Sequence, residues 1–283
     1  MSKELFDRVT AHVSQYVTKQ YSTSFSIGIS LLDKSIRQDI YAIYGWVRFA
    51  DEIVDTFHDF DKNALLDDFI HQTYQAIHQK ISLNPILNQF QRTVNLYQID
   101  HDLIDTFLAS MKMDLDQKKY NRSDYEQYIV GSAEVVGLMC LQVFTKGDKS
   151  LYTELMPYAR KLGAAFQKIN FLRDLKADQE GLGRRYFPQW QEGETLCEKT
   201  KLEIMNEIRT DFDNARIGIC RLPLCCKSGV YAAYVYYKAL YLKIKSTPSE
   251  KLIRSRIRIG DARKLLLLMY AKLRVAMNQV SIF

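Results

Sequence analysis

Three observations predict an all-α protein. Apolar residues recur at three- and four-residue steps along nearly the whole 283-residue chain, while strand-like alternation is scarce. Glycine (12) and proline (5) are too few for the many turns of an all-β chain of this length. No linker is long enough to separate domains, so residues 1–283 read as a single domain of about ten helices.

The helices follow in order. A first is predicted over 3–19, and the polar stretch Tyr21-Ser22-Thr23-Ser24 interrupts it. A second, long helix covers 34–58, opening after Asp33, and others cover 62–80, 84–97 and 101–117. Ser123, with Glu126 three residues on, has capping-box spacing and opens a helix to about 145. A helix over 149–178 runs into the one clear loop, Gly181-Leu182-Gly183-Arg184-Arg185-Tyr186-Phe187-Pro188. Its glycines and proline break the helical period. Helices near 193–220, 226–246 and 259–280 complete the chain, and no repeat of fixed period is visible.

Hydrophobic residues make up 47% and charged residues 25%, which excludes a disordered chain. No apolar run reaches the roughly 18–20 residues of a membrane span; the nearest, from Val135 to Phe144, is short and contains Gln142. The charged start MSKELFDRVT lacks the apolar core of a secretory signal. The five cysteines (140, 197, 220, 225, 226) form no CxxC pair, and the five histidines form no HExxH. A zinc site and a disulfide scaffold are therefore not expected, and a cytoplasmic setting is.

Lysine and arginine number 39 against 33 acids, a formal charge of +6. From Lys238 to Arg274 there are eleven Lys or Arg and only Glu250 and Asp261 as acids. Such a basic end is either a solvated face or a surface for anionic lipid or a phosphorylated ligand. Nucleic acid is not expected, since no nucleic-acid-binding motif accompanies the charge.

Two aspartate motifs carry chemistry. In Arg48-Phe49-Ala50-Asp51-Glu52-Ile53-Val54-Asp55, Asp51 and Asp55 stand four apart, on one helix face. Like charges at this spacing repel, and a hard divalent cation would offset the repulsion. Two surface aspartates paired with arginine are the alternative reading. Asn170-Phe171-Leu172-Arg173-Asp174-Leu175-Lys176-Ala177-Asp178 repeats the design, again with arginine directly before the first aspartate. Gln167 and Asn170 precede Asp174 on a compatible face. Two such helices facing each other would gather four carboxylates, two arginines and amides, a set suited to magnesium ions holding a diphosphate. The hydroxyls of Ser22, Thr23 and Ser24 would either cap a helix or donate to phosphate. Aromatic residues, 12% of the chain, cluster near the motifs as Tyr41, Tyr44, Trp46, Phe49, Phe166 and Phe171. They are either core or the walls of a cavity for a carbocation.

Together these residues resemble the squalene/phytoene synthase family. The matching segments are Ser22-Thr23-Ser24-Phe25, Ala42 through Asp55, Tyr128 through Met139 and Gly163 through Pro188. The resemblance implies the isoprenoid synthase fold, helices around a central cavity, and head-to-head joining of two prenyl diphosphates. It implies two or three Mg2+ ions on Asp51, Asp55, Asp174 and Asp178, with Arg48, Arg173, Tyr44 and Tyr237 in catalytic roles near the diphosphate. Ser22, Ser24, Phe25, Gln167, Asn170 and Arg256 would bind substrate. The GSAEVVGLM segment favours a bacterial phytoene synthase, acting on geranylgeranyl diphosphate without NADPH. Gly28 and Ile29, small beside the tail tunnel, would leave room for twenty carbons. The alternatives are a squalene or dehydrosqualene synthase using farnesyl diphosphate, and a non-catalytic scaffold of the same fold. Lipid-soluble substrates and the basic C-terminal region lead us to expect peripheral association with an anionic membrane.

Overall fold

The computed structural model describes residues 2–116, 119–181, 183–190, 195–277 and 279–280. Short polar side chains open many of its helices by accepting the otherwise unpaired N–H groups of the first turn. The helix α1 (Lys3–Tyr21) ends at Ser22, whose Oγ accepts from Phe25 N at 3.2 Å to start α2 (Thr23–Ser30). The polar stretch is thus a break of one residue between two helices, too short to interrupt the periodicity that conceals α2. Asp33 caps α3 (Lys34–Asp55), Asp61 caps α4 (Lys62–Gln79), and Asn84, followed by Pro85 at the first helical position, caps α5 (Pro85–Tyr97). Next comes α6 (His101–Asp116).

The segment expected as one helix to 145 has three parts: α7 (Arg122–Ile129), a π-helical turn (Val130–Glu134) and α8 (Val135–Thr145). Its capping box is formed by Asn121 and Asp124, not by Ser123 and Glu126. Asn121 Oδ1 accepts from Asp124 N at 3.0 Å, and Asp124 Oδ2 from Asn121 N at 3.3 Å. Two overlapping patterns lie two residues apart in the sequence, and the asparagine supplies the acceptor. Asp148 caps the long α9 (Lys149–Glu180). The predicted start of the following helix, residue 193, lies outside the described residues; α10 (Glu198–Arg221) begins after Cys197. Then come α11 (Leu224–Ser246), a short α12 (Ser249–Arg254) missed by the periodicity, and α13 (Asp261–Ala276), shorter at both ends than expected. The described residues form no strand, only a single backbone bridge between Lys119 and Arg185 that ties the loop after α9 to the chain after α6.

The two motif helices occupy the centre. In α3, Ile36, Ile40, Tyr41, Ile43, Trp46 and Ile53 are buried against neighbouring elements. The Trp46 indole lies parallel to Phe90 of α5 at 4.1 Å, and its Nε1 donates to Thr73 Oγ1 of α4 at 3.1 Å. Losing such a buried ring would cost about 3–5 kcal/mol, so the stack fixes how α3 sits. The helical segment 122–145 is long and apolar enough to cross a bilayer by composition, with a mean hydropathy of 1.5, yet 61% of that window is buried inside the protein. It is a core element, and α9 lies along it.

The approach of α9 to the π-turn is close because position 163 is glycine. A Cβ on Gly163 would stand 2.6 Å from Ala133 O, a backbone atom that cannot swing aside. Helix propensity alone would favour alanine there by about 1 kcal/mol. The clash exceeds that gain, so Gly163→Ala is expected to destabilise the protein by about 1–3 kcal/mol in urea or thermal unfolding.

Candidate functional site

A cavity of about 830 Å3 runs between α2, α3, α8, α9, α10 and α11. One end is apolar, walled by residues such as Leu141, Phe144, Leu155, Leu162, Ile219 and Leu222. Gly28 and Ile29 line it, as expected. The other end is polar and collects most of the residues singled out from the sequence: Ser22, Ser24, Phe25, Tyr44, Arg48, Asp51, Gln167, Asn170, Arg173, Asp174, Tyr237 and Arg256 all face it.

Aromatic rings line the cavity beside these polar groups. The Phe25 ring lies 5.7 Å from Tyr44 and 6.1 Å from Tyr237, and Phe166 stacks on Tyr237 at 3.9 Å. Burial pushes the Tyr44 phenol up to about 12 and raises that of Tyr237, so both stay protonated and can donate. The Ser22 hydroxyl hydrogen-bonds Tyr44, and the Tyr237 hydroxyl donates to Asn170 Oδ1 at 3.1 Å. Asn170 Nδ2 in turn donates to Gln167 Oε1 at 3.4 Å. Ser22 therefore caps α2, as one of the two readings of its hydroxyl expected, and also lines the cavity.

The two aspartate motifs do meet. Burial, and then the nearby Asp55, push the Asp51 carboxyl up to about 8. Asp178, on α9, is pushed up to about 7 by burial, by Asp174 and by Asp55 of α3. Asp51 of the first motif and Asp174 of the second line one cavity, so both motifs face a common space. Asp51 and Asp174 line the cavity, while Asp55 and Asp178 stand at its polar end around a cation the sequence reading overlooked. That cation is Arg184, 5% exposed, which donates to Asp55 at 2.7 Å and to the Asp114 backbone carbonyl at 2.8 Å. Its Nε is 3.7 Å from the Asp114 carboxylate, which also accepts from Tyr120 at 2.9 Å and Tyr128 at 2.5 Å. Arg184 lies in a recognised segment, yet nothing local distinguishes it from Arg185. Asp114 is one of many aspartates between residues 51 and 116.

The other arginines hold the site's remaining charges. Arg173 grips Asp174 at 2.6 Å, and Arg256 reaches the same carboxylate from beyond α12, also at 2.6 Å. Arg48 pairs with Glu52 one turn on, and its guanidinium lies over the Tyr21 ring at 4.5 Å. Among the described residues no three His, Cys, Asp or Glu side chains stand close enough to hold a metal ion by themselves.

The match to a model of squalene/phytoene synthases covers residues 18–263. Phytoene synthase 2 of Solanum lycopersicum is 28% identical, over 89% of this chain and 86% of that protein. The 15-cis-phytoene synthase of a Paracoccus species is 27% identical, over 88% and 86%. A bifunctional lycopene cyclase/phytoene synthase of Blakeslea trispora is 25% identical over 95% of this chain, which spans 50% of that protein's length. The chain spans 66% of phytoene synthase 1 of S. lycopersicum. Among solved structures, a dehydrosqualene synthase superposes with a TM-score of 0.79 at 20% identity, covering 96% of this chain and 98% of the other. A squalene synthase of Alicyclobacillus acidocaldarius gives 0.75 at 19%, covering 91% and 98%.

The crowded acids give a pH prediction. Asp51, Asp178 and Asp114 (raised to about 6, chiefly by burial) all titrate above an ordinary aspartate. The folded protein then holds more protons than the unfolded chain, so stability falls as pH rises through these values. Without added divalent cations, the thermal midpoint should drop between about pH 5 and pH 9, and Asp51→Asn with Asp178→Asn should flatten the slope. Arg184→Met strands two carboxylates and should cost about 3 kcal/mol at pH 8, less at pH 5 where Asp114 is protonated; equal losses at both would exclude the charge as cause.

Proposed function

The chain belongs to the squalene/phytoene synthase family, and from that premise we propose that it joins two molecules of geranylgeranyl diphosphate head to head, making phytoene for carotenoid biosynthesis. The observation that carries the reading is the convergence of the two aspartate motifs on the polar end of an apolar, aromatic-walled cavity. The phytoene synthases among its relatives favour the twenty-carbon substrate over farnesyl diphosphate.

The donor set suits magnesium. It offers carboxylate oxygens without histidine or cysteine, and its acids crowd until burial and mutual repulsion raise their protonation. Asp51 and Asp55 on one side, and Asp174 and Asp178 on the other, would hold the ions. With no three acids among the described residues close enough to complete a site, a bound diphosphate would supply the remaining oxygens. Bound there, magnesium would neutralise charge on the departing diphosphate.

The protein's own groups then account for the rest. Arg48, Arg173 and Arg256 line the end where the diphosphates sit and offer it charged hydrogen bonds. Tyr44 and Tyr237, held as neutral phenols, donate without adding charge. The apolar wall holds two prenyl chains in contact and excludes water. Breaking the C–O bond of the first substrate gives an allylic cation, faced by the rings of Phe25 and Phe166. The double bond of the second substrate attacks that cation, and proton loss closes a cyclopropane. The cyclopropyl intermediate loses its own diphosphate, rearranges and loses another proton, so no reductant is consumed. Released diphosphate would serve as the base, because the cavity wall offers few others. Substrate and product both partition into lipid, which supports a working position for the enzyme at the cytoplasmic surface of a membrane.

Incubation with geranylgeranyl diphosphate and Mg2+, without NADPH, should yield a forty-carbon hydrocarbon. Absence of that product, with faster turnover of farnesyl diphosphate, would replace it with the fifteen-carbon reading. Asp51→Asn and Asp174→Asn should each lower kcat/KM about 10²–10³-fold with helical content retained. Unchanged turnover in both would remove the metal site from the mechanism.

A further inference from the structure

The C-terminal helix has more apolar surface than its packing uses. The inner face of α13 lies on α11 and buries Ala271, with Leu267, Leu268 and Val275 partly covered. Its outer face carries Leu265, Leu266, Met269, Leu273 and Met277, each 54–65% exposed. With 100° per residue these side chains fall within an arc of roughly 120° along a helix about 24 Å long. Soluble surfaces scatter exposed apolar residues singly; a continuous stripe marks a contact.

The surroundings of the stripe identify that contact. Arg263 and Lys272 flank it on either side of the helix, both exposed. Arg254 and Arg258, also exposed, precede it. Between Lys238 and Arg274 the eleven basic residues face only two acids, Glu250 and Asp261. An apolar stripe edged by long basic side chains fits the boundary of an anionic bilayer, where the stripe enters the acyl region and the cations stay among headgroups. A second copy of this chain would set the basic flanks against their own kind, which disfavours self-association.

The position of α13 gives the contact a purpose. The extended strap before it has Ile257 and Ile259 buried, and Arg256 through Asp261 line the cavity together with Lys264 of the first helical turn. The geometry points to α13 as an in-plane membrane-docking helix, whose outer stripe enters an anionic bilayer surface and holds the cavity's rim against the lipid. This rests on the proposed function only for its use, the delivery of a hydrocarbon into lipid; the docking itself is independent of turnover.

Vesicle flotation with the full chain tests it. Wild-type protein should bind vesicles of phosphatidylglycerol and phosphatidylcholine, and bind pure phosphatidylcholine vesicles at least tenfold more weakly. The double variant Leu266→Glu, Leu273→Glu should lose at least tenfold in binding to the anionic vesicles, with unchanged circular dichroism and unchanged turnover of prenyl diphosphate in detergent. Arg263→Glu with Lys272→Glu should weaken binding and abolish its salt dependence. Equal binding by wild type and the leucine variant overturns the proposal. So does a wild-type dimer without vesicles that the variant converts to monomer, because the stripe would then be a subunit interface. Failure of the wild type to turn over any prenyl diphosphate would remove the proposed function and leave the vesicle result standing.

Discussion

Everything at the polar end of the cavity depends on one electrostatic constraint: carboxylates from α3, α6 and α9 gather around one buried guanidinium, where burial and mutual repulsion oppose their all being charged. Asp55, Asp114 and Asp178 surround Arg184, and Asp51 and Asp174 stand just inside. In a partly dry pocket this repulsion is relieved in only a few ways: by proton uptake, by guanidinium contact or by a bound cation. The protein uses the first two. Asp51 and Asp178 hold protons unusually well, while Arg173 and Arg256 clasp Asp174. A multiply charged ligand with its counter-ions can exchange places with those arrangements.

The helices are held to this unfavourable arrangement by packing elsewhere. Trp46, against Phe90 and Phe107, anchors α3 five residues before its first motif aspartate. On the other side α9 is drawn in by glycine at 163 and packs along α10, where buried Lys168 bridges Glu207 and Asp211 at 2.5 and 2.6 Å. The hydrophobic side of each helix is well satisfied, and that stability offsets the strain concentrated among the acids.

How much of this could be read from the sequence depended on whether the signal was local. The helix periods, the DxxxD spacings and the arginine before each first aspartate are contained within single helices, and the structure retains them. Arg184 and Asp114 had no such signal, because their importance comes from a contact seventy residues apart in the chain. The capping box was displaced by one of two overlapping local patterns, and α2 was hidden because one residue suffices to separate it from α1. The π-turn follows from tertiary crowding: Gly131 and Gly163 let α6 and α9 press on the same stretch of backbone, and no residue there announces a change of pitch.

The placement of the two tryptophans has a practical consequence. Trp46 is sealed in the core beside aromatic rings, whereas Trp190 is buried at the end of the loop that carries Arg184, with the Arg185 guanidinium 4.9 Å above its ring. The chain therefore contains two tryptophans with different neighbours, one sensing the interior of the bundle and one sensing the rim of the acidic cluster. Replacing either with phenylalanine would leave a single tryptophan, so that its emission, excited at wavelengths the tyrosines do not absorb, could separate events at the rim from loosening of the core.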